Sequence, residues 1–311
     1  MQQKYSQFPI CSIEYMGGVS MKEPVFLGTA TALVTPFDHE GIDFHSLDVL
    51  LQKQLDAKIP ALVICGTTGE GSTLSKEEKA QLWMHCVHYV DGACKIIAGI
   101  GSNNTQAAAD LAQTAERCGA DGLLAVTPYY NKCTQEGLVE HYLTVANAGS
   151  LPLITYHVPS RTGMSMSSAT CRKLSTHPRI NGIKDAGGNI SQTAQFCSLP
   201  NSYLWSGNDD QIVPIMSLGG CGVISVLSNL CPEVVKTMTD LCLTGQYKRA
   251  AELQLLYLPL IEALFYEVNP IPIKAALASQ GLCKELLRLP LTPLSEDGRK
   301  KLFAAMERCL I

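Results

Sequence analysis

From Phe26 onward the chain alternates two hydrophobic patterns, and this alternation constrains its fold more than any other feature. Eight short, β-rich apolar runs occur in order: FLGTATALV, ALVICGTT, KIIAGIG, GLLAVTP, LPLITYHV, INGIKDA, YLWSGND and GVISVLSN. Between them lie segments with apolar residues at helical spacing, among them LDVLLQKQLDA, TQAAADLAQTAERCGA and QEGLVEHYLTVANAG. Strict βα alternation forces parallel strands, because each crossover returns the chain to the same end of the sheet. Eight such units close most simply into a (β/α)8 TIM barrel, an α/β fold that 311 residues accommodate. The competing doubly wound sheet expects G-x-G-x-x-G after its first strand, where this chain reads TPFDHEG.

Domain limits follow from the same pattern. Met21 immediately precedes the first clear strand pattern, so residues 1–20 are expected to form a disordered arm, or to reflect an upstream start. Residues 21–245 are assigned to the barrel. Residues 246–311, with QLLYLPLIEALFYE, IPIKAALASQ and RKKLFAAMERC, exceed the one helix that the barrel still needs, and predict a C-terminal helical extension for packing or oligomer contacts.

Composition narrows the function. A net charge of −4 without a long Lys/Arg run gives no electrostatic footprint for nucleic acid. No stretch reaches the roughly 18 apolar residues of a membrane span, and the first twenty residues lack the h-region of a secretory signal. Thirteen cysteines, an odd and scattered set without CxxC, read as reduced thiols in a cytoplasmic protein rather than as disulfides or metal ligands. Small-molecule chemistry is the expectation.

In a barrel of this kind the C-terminal strand ends build the site. That filter collects Thr35, then Thr67, Thr68 and Glu70, Asn103, Thr127, Tyr129 and Tyr130, Tyr156, His157 and Arg161, Lys184 and Asp185, Asn208 and Asp209, and Ser225, all expected to face one mouth. Lys184 stands out, because a lysine inside a short apolar strand has its ammonium disfavoured by desolvation and can attack a carbonyl. The other reading pairs it with Asp185 or another carboxylate. Residues 66–71, GTTGEG, either cradle a small carboxylate or make a plain strand-to-helix turn capped by Ser72 or Ser75. Tyr129 and Tyr130 are either site residues or interfacial aromatics. Arg161 is either a carboxylate clamp or a surface ion-pair member.

Taken together, GTATALVTPF, GTTGEGSTLS, TPYYN, TYHVPSRTG, GIKDAGGN, SGNDD, GGCGVISV and NPIPIK closely resemble the dihydrodipicolinate synthase family, within the class I pyruvate-dependent aldolases and lyases. The resemblance runs from Phe26 to the C-terminal helices. It implies lysine biosynthesis without a cofactor or metal: pyruvate condenses with L-aspartate 4-semialdehyde through an imine on Lys184. Tyr156, Thr67 and Tyr130 match the family's proton relay, and the tyrosine at Tyr130 serves a neighbouring subunit, so a homodimer is the minimum and a homotetramer the expected assembly. Thr68 matches the position that holds the pyruvate carboxylate, Gly207 and Ile224 line the pocket, and Arg161 receives the semialdehyde carboxylate. Sugar-acid lyases and aldolases resemble the same barrel but lack the arginine. A non-catalytic keto-acid-binding barrel would not need the lysine.

The chain departs from the family's pattern in two places. His157 stands where asparagine is usual. Lysine-inhibited members commonly have histidines at the positions of Lys76 and Lys79 and glutamate at Ala107; Asn103 and Tyr129 remain, but two cations and a missing carboxylate disfavour the amino groups of a cationic effector.

Overall fold

A computed structural model describes residues 22–309, and the segment 1–20 set apart above lies outside them. Strands β1 (Gly28–Ala32), β2 (Ala61–Ile64), β3 (Lys95–Gly99), β4 (Gly122–Val126), β5 (Leu153–His157), β6 (Ile180–Asp185), β7 (Tyr203–Ser206) and β8 (Gly222–Ser225) pair in parallel, in chain order, and close on themselves. All eight apolar runs form strands. The helices are α1 (Phe44–Asp56), α2 (Lys76–Val90), α3 (Thr105–Arg117), α4 (Gln135–Asn147), the single turn α5 (Pro159–Thr162), α6 (Ser168–Ser175), α7 (Ile190–Cys197), α8 (Ile212–Ser217) and α9 (Pro232–Leu243). Three more follow: α10 (Tyr247–Leu264), α11 (Ile271–Ser279) and α12 (Glu296–Arg308). The fold is a TIM barrel with additional C-terminal helices. No described helix is long and apolar enough to cross a membrane.

Local chemistry sets the helix starts. Asp43, Ser75, Asn104, Thr134, Ser167, Asn189 and Ser295 each accept a backbone N–H of the first turn that follows. Such a cap contributes about 1 kcal/mol. Of the two serines considered for α2, Ser75 is the cap, and Glu78 closes a capping box by accepting the Ser75 N–H.

Two apolar layers result. Inside the barrel, Ala30, Val63, Ile97, Leu124, Ile154, Trp205 and Ile224 fill the axis. Outside it, the other face of each strand packs on the helices, with Leu62, Leu123, Leu153 and Ile183 in the larger core. Strand alternation therefore decides which side chains reach the axis.

The β5–β6 pair carries one irregularity. Leu153 lies opposite Ile180, but the next partner of Ile154 is Gly182, so β6 holds one extra residue, Asn181. The Asn181 side chain accepts the Val25 N–H at 3.1 Å and donates to the Glu23 carbonyl at 2.8 Å. Beyond the bulge Tyr156 stands opposite Lys184, and His157 opposite Asp185.

Candidate active site

Lys184 points into the barrel. It is 6% exposed, and its Nζ lies over the Tyr156 ring, 4.2 Å from the centroid. Burial brings its pKa down from 10.5 to about 7; Asp209 opposes the shift and Arg161 adds to it. Near neutral pH a large share of the amine is therefore free.

The lysine is not paired with Asp185. Adjacent residues on a strand point to opposite faces, and Asp185 lies behind the sheet. There it accepts from His157 Nδ1 at 2.9 Å, Thr193 Oγ1 at 2.6 Å and the Gly187 N–H at 2.9 Å. These bonds hold its carboxyl below the ordinary range against the cost of burial. The expectation that His157 and Asp185 face the mouth is corrected accordingly. Asp209 is buried near the lysine, its Oδ2 accepting the N–H groups of Val226 and Leu227, and burial raises its pKa.

Tyr156 is buried, and desolvation raises its phenol pKa, partly offset by the Arg161 charge and a hydrogen bond with the Thr67 side chain. The phenol keeps its proton near neutrality. Gly207 flanks the lysine so closely that a Cβ there would stand 3.1 Å from Lys184 Cε and 2.8 Å from Ala186 Cβ. Ile224 closes the apolar floor from β8.

The GTTGEG loop is shaped differently from its glycine content. The left-handed residues here are Cys65 (φ 62°), just before the loop, and Glu70 (φ 52°) within it, whereas Gly71 is needed for close approach: a Cβ there would lie 2.1 Å from the Cys65 carbonyl oxygen. Glu70 does not face the mouth, a second correction. It meets the buried Lys274 Nζ at 2.5 Å and accepts the Arg288 N–H at 2.9 Å. Lys274 also donates to the Leu286 carbonyl at 2.7 Å and lies over the Phe37 ring.

Asn269, just before α11, donates from Nδ2 to Thr68 Oγ1 at 3.0 Å, and its carbonyl accepts from Arg161 at 3.4 Å. Its Oδ1 is buried without a partner. Arg161 sits in the α5 turn rather than in an open loop, exposed at a cleft of about 420 Å³ that it shares with Tyr266, Glu267 and Asn269. The C-terminal helices thus build part of the mouth, a role beyond packing. Asn269 and Lys274 were not singled out from sequence, although NPIPIK contains both.

The loops after β3 and β4 meet where Asn103 Nδ2 donates to the Tyr129 carbonyl at 3.2 Å. Tyr129 is 36% exposed, and Tyr130, with φ 72°, is 91% exposed. Lys79 is half-buried with its pKa lowered by desolvation, while Lys76 is exposed in the first turn of α2.

A closed parallel barrel with a desolvated lysine against a phenol at its C-terminal mouth defines a class, the barrel enzymes that work through an imine-forming lysine. Within that class, the chain belongs to the dihydrodipicolinate synthetase family, whose model matches residues 25–309. The 4-hydroxy-tetrahydrodipicolinate synthase of Caldicellulosiruptor saccharolyticus is 47% identical over 91% of this chain and 97% of its own. That of Alkaliphilus oremlandii is 46% identical over 91% and 99%. Among solved structures, the pyruvate complex of the chloride-inhibited dihydrodipicolinate synthase from Acinetobacter baumannii matches with a TM-score of 0.90 and 40% identity, covering 92% of this chain and 99% of that one. The enzyme from Aquifex aeolicus gives 0.90 and 38%, over 92% and 98%.

Proposed function

We propose that this chain is a 4-hydroxy-tetrahydrodipicolinate synthase, a lyase that condenses pyruvate with L-aspartate 4-semialdehyde. The observation that carries this reading is Lys184, buried against the Tyr156 ring with its amine poised near neutrality. Its lone pair attacks pyruvate C2, and water leaves to give an imine. Loss of a methyl proton gives the enamine, whose carbon attacks the aldehyde. The amine of the semialdehyde then attacks C2 and displaces Lys184, closing the ring.

Each neighbour has a part. Tyr156 carries protons to and from the reacting atoms, with Thr67 as its hydrogen-bonding partner. Thr68 accepts from Asn269, so its own hydroxyl hydrogen is left to donate to the pyruvate carboxylate. Gly207 leaves room for the imine carbon beside Lys184 Cε, and Ile224 supplies an apolar wall. Arg161 offers a guanidinium to the semialdehyde carboxylate at the cleft, a group that a sugar polyol would not require. Tyr130, almost wholly exposed, completes the relay of a second copy, which makes a homodimer the smallest active unit.

Borohydride reduction with pyruvate followed by peptide mass mapping tests the reading. An adduct on Lys184, and pyruvate consumption that depends on the semialdehyde, are expected. Pyruvate release from ketodeoxy acids instead would assign an aldolase, and no adduct would exclude both.

A further inference from the structure

His157 and Asp185 form a link that the chemistry above does not use. They are 0% and 2% exposed, on the outer face of the sheet, at the last paired rung of β5 and β6. Each is the chain neighbour of a residue at the reacting centre: His157 follows Tyr156, and Asp185 follows Lys184. We propose that His157 and Asp185 act as positioning residues, a brace behind the barrel that sets the Tyr156 phenol against Lys184.

The geometry of the pair favours a brace. Nδ1 meets Asp185 Oδ1 at 2.9 Å, and Nε2 meets Ser165 Oγ at 3.2 Å. The imidazole edge packs on the Phe196 ring at 5.5 Å, nearly perpendicular. A Cβ at Gly187 would stand 2.8 Å from His157 Cε1, so the backbone closes the remaining side. Asp185 is in turn held by Thr193 and Gly187. Neither side chain can turn without breaking a buried bond.

The two strands also need such a brace. The extra residue Asn181 breaks the uniform register upstream, so the rung that faces Tyr156 with Lys184 lies only a few residues beyond a bulge. A side-chain cross-link at the next rung fixes that register where the backbone ladder ends. A buried polar pair gains little over an apolar one in stability, and conformational specificity is a known use of such pairs. A misplacement of about 1 Å between reacting groups can cost about a hundredfold in rate.

The inference rests on the roles given to Lys184 and Tyr156 above, and its test separates the two. Full-length wild type, His157→Ala, Asp185→Ala, the double variant and His157→Asn are compared, well below their melting temperatures. Two readouts are taken with pyruvate alone: the borohydride-trapped adduct, and deuterium exchange at the methyl group, which needs the lysine and the proton carrier in register. Each single alanine variant should still trap pyruvate but exchange at least about tenfold more slowly, within the range that misplacement produces. The double variant should be no slower than the singles, because either change removes the same brace. His157→Asn should recover most of the rate, since its amide nitrogen is bonded to Cγ as Nδ1 is. Exchange within twofold of wild type in folded variants, or losses that multiply in the double, would overturn the brace while leaving the imine reading intact. No adduct in the wild type would overturn both. If alanine prevents folding, His157→Gln and Asp185→Asn replace it. Gln sets its amide one carbon too far for the same contact, so unchanged exchange there sinks the brace as well.

Discussion

Lys184 Nζ and the face of the Tyr156 ring lie 4.2 Å apart on adjacent strands, in direct register. The ring favours an ammonium by about 2 kcal/mol. Burial outweighs it, since the amine is brought down to about 7. The neutral amine is the nucleophile, and its fraction grows as pH rises through the pKa. The rate of pyruvate imine trapping is therefore expected to climb between about pH 6 and 8 and then level, on the ordinary width of a one-proton titration. A profile still rising steeply toward 10 would show an ordinary solvated lysine.

Gly207→Ala is expected to act on the lysine directly. The added methyl would press on Lys184 Cε and Ala186 Cβ at 3.1 and 2.8 Å. Overpacking of this kind costs about 1–3 kcal/mol. Part of it should appear as imine formation slowed about tenfold, the rate equivalent of 1.36 kcal/mol. Stopped trapping at timed intervals, beside a thermal melt, measures both.

Arg161→Ala should separate the two substrates. Charge-assisted hydrogen bonds contribute about 1.5–3 kcal/mol, so KM for the semialdehyde should rise about tenfold to a hundredfold. Pyruvate should remain trappable on Lys184. Steady-state kinetics with each substrate varied in turn checks the split, and equal loss of both would remove the arginine from its assigned place.

Lys274→Met breaks the buried pair with Glu70 from one side. Leaving a carboxylate buried without its cation costs about 3–5 kcal/mol. Urea unfolding should show a loss of that order, and KM for pyruvate should rise as the GTTGEG loop loosens. Wild-type stability would mean that the Arg288 N–H alone satisfies Glu70.

What could be read from sequence followed local rules. Periodicity located all eight strands, and the turn after α3 falls at Gly119, with φ 85°. Choosing residues by nearness to a strand end gathered Lys184 and Tyr156, which lie together inside the barrel, but swept in His157 and Asp185. Alternation alone would have removed them, because if Tyr156 faces the axis its neighbour cannot. Glu70 was of another kind. Its partner lies 204 residues away, and no local pattern states that a loop carboxylate will meet a lysine in α11. Asn269 escaped notice for the same reason, since its value depends on Thr68 being opposite. Asn181 looks in sequence like an ordinary strand residue, and only the register shows that it is the extra one.

The tie between Glu70 and Lys274 also orders events in time. During synthesis the eight strands leave the ribosome before α11, so a nascent chain with every strand present still lacks the cation that fixes the loop after β2. Asn269, which reaches Thr68, emerges just before it. The contacts of Asn269 with Thr68 and of Lys274 with Glu70 are thus among the last that the chain can make, and a truncated translation product would carry Lys184 with the loop after β2 held by neither.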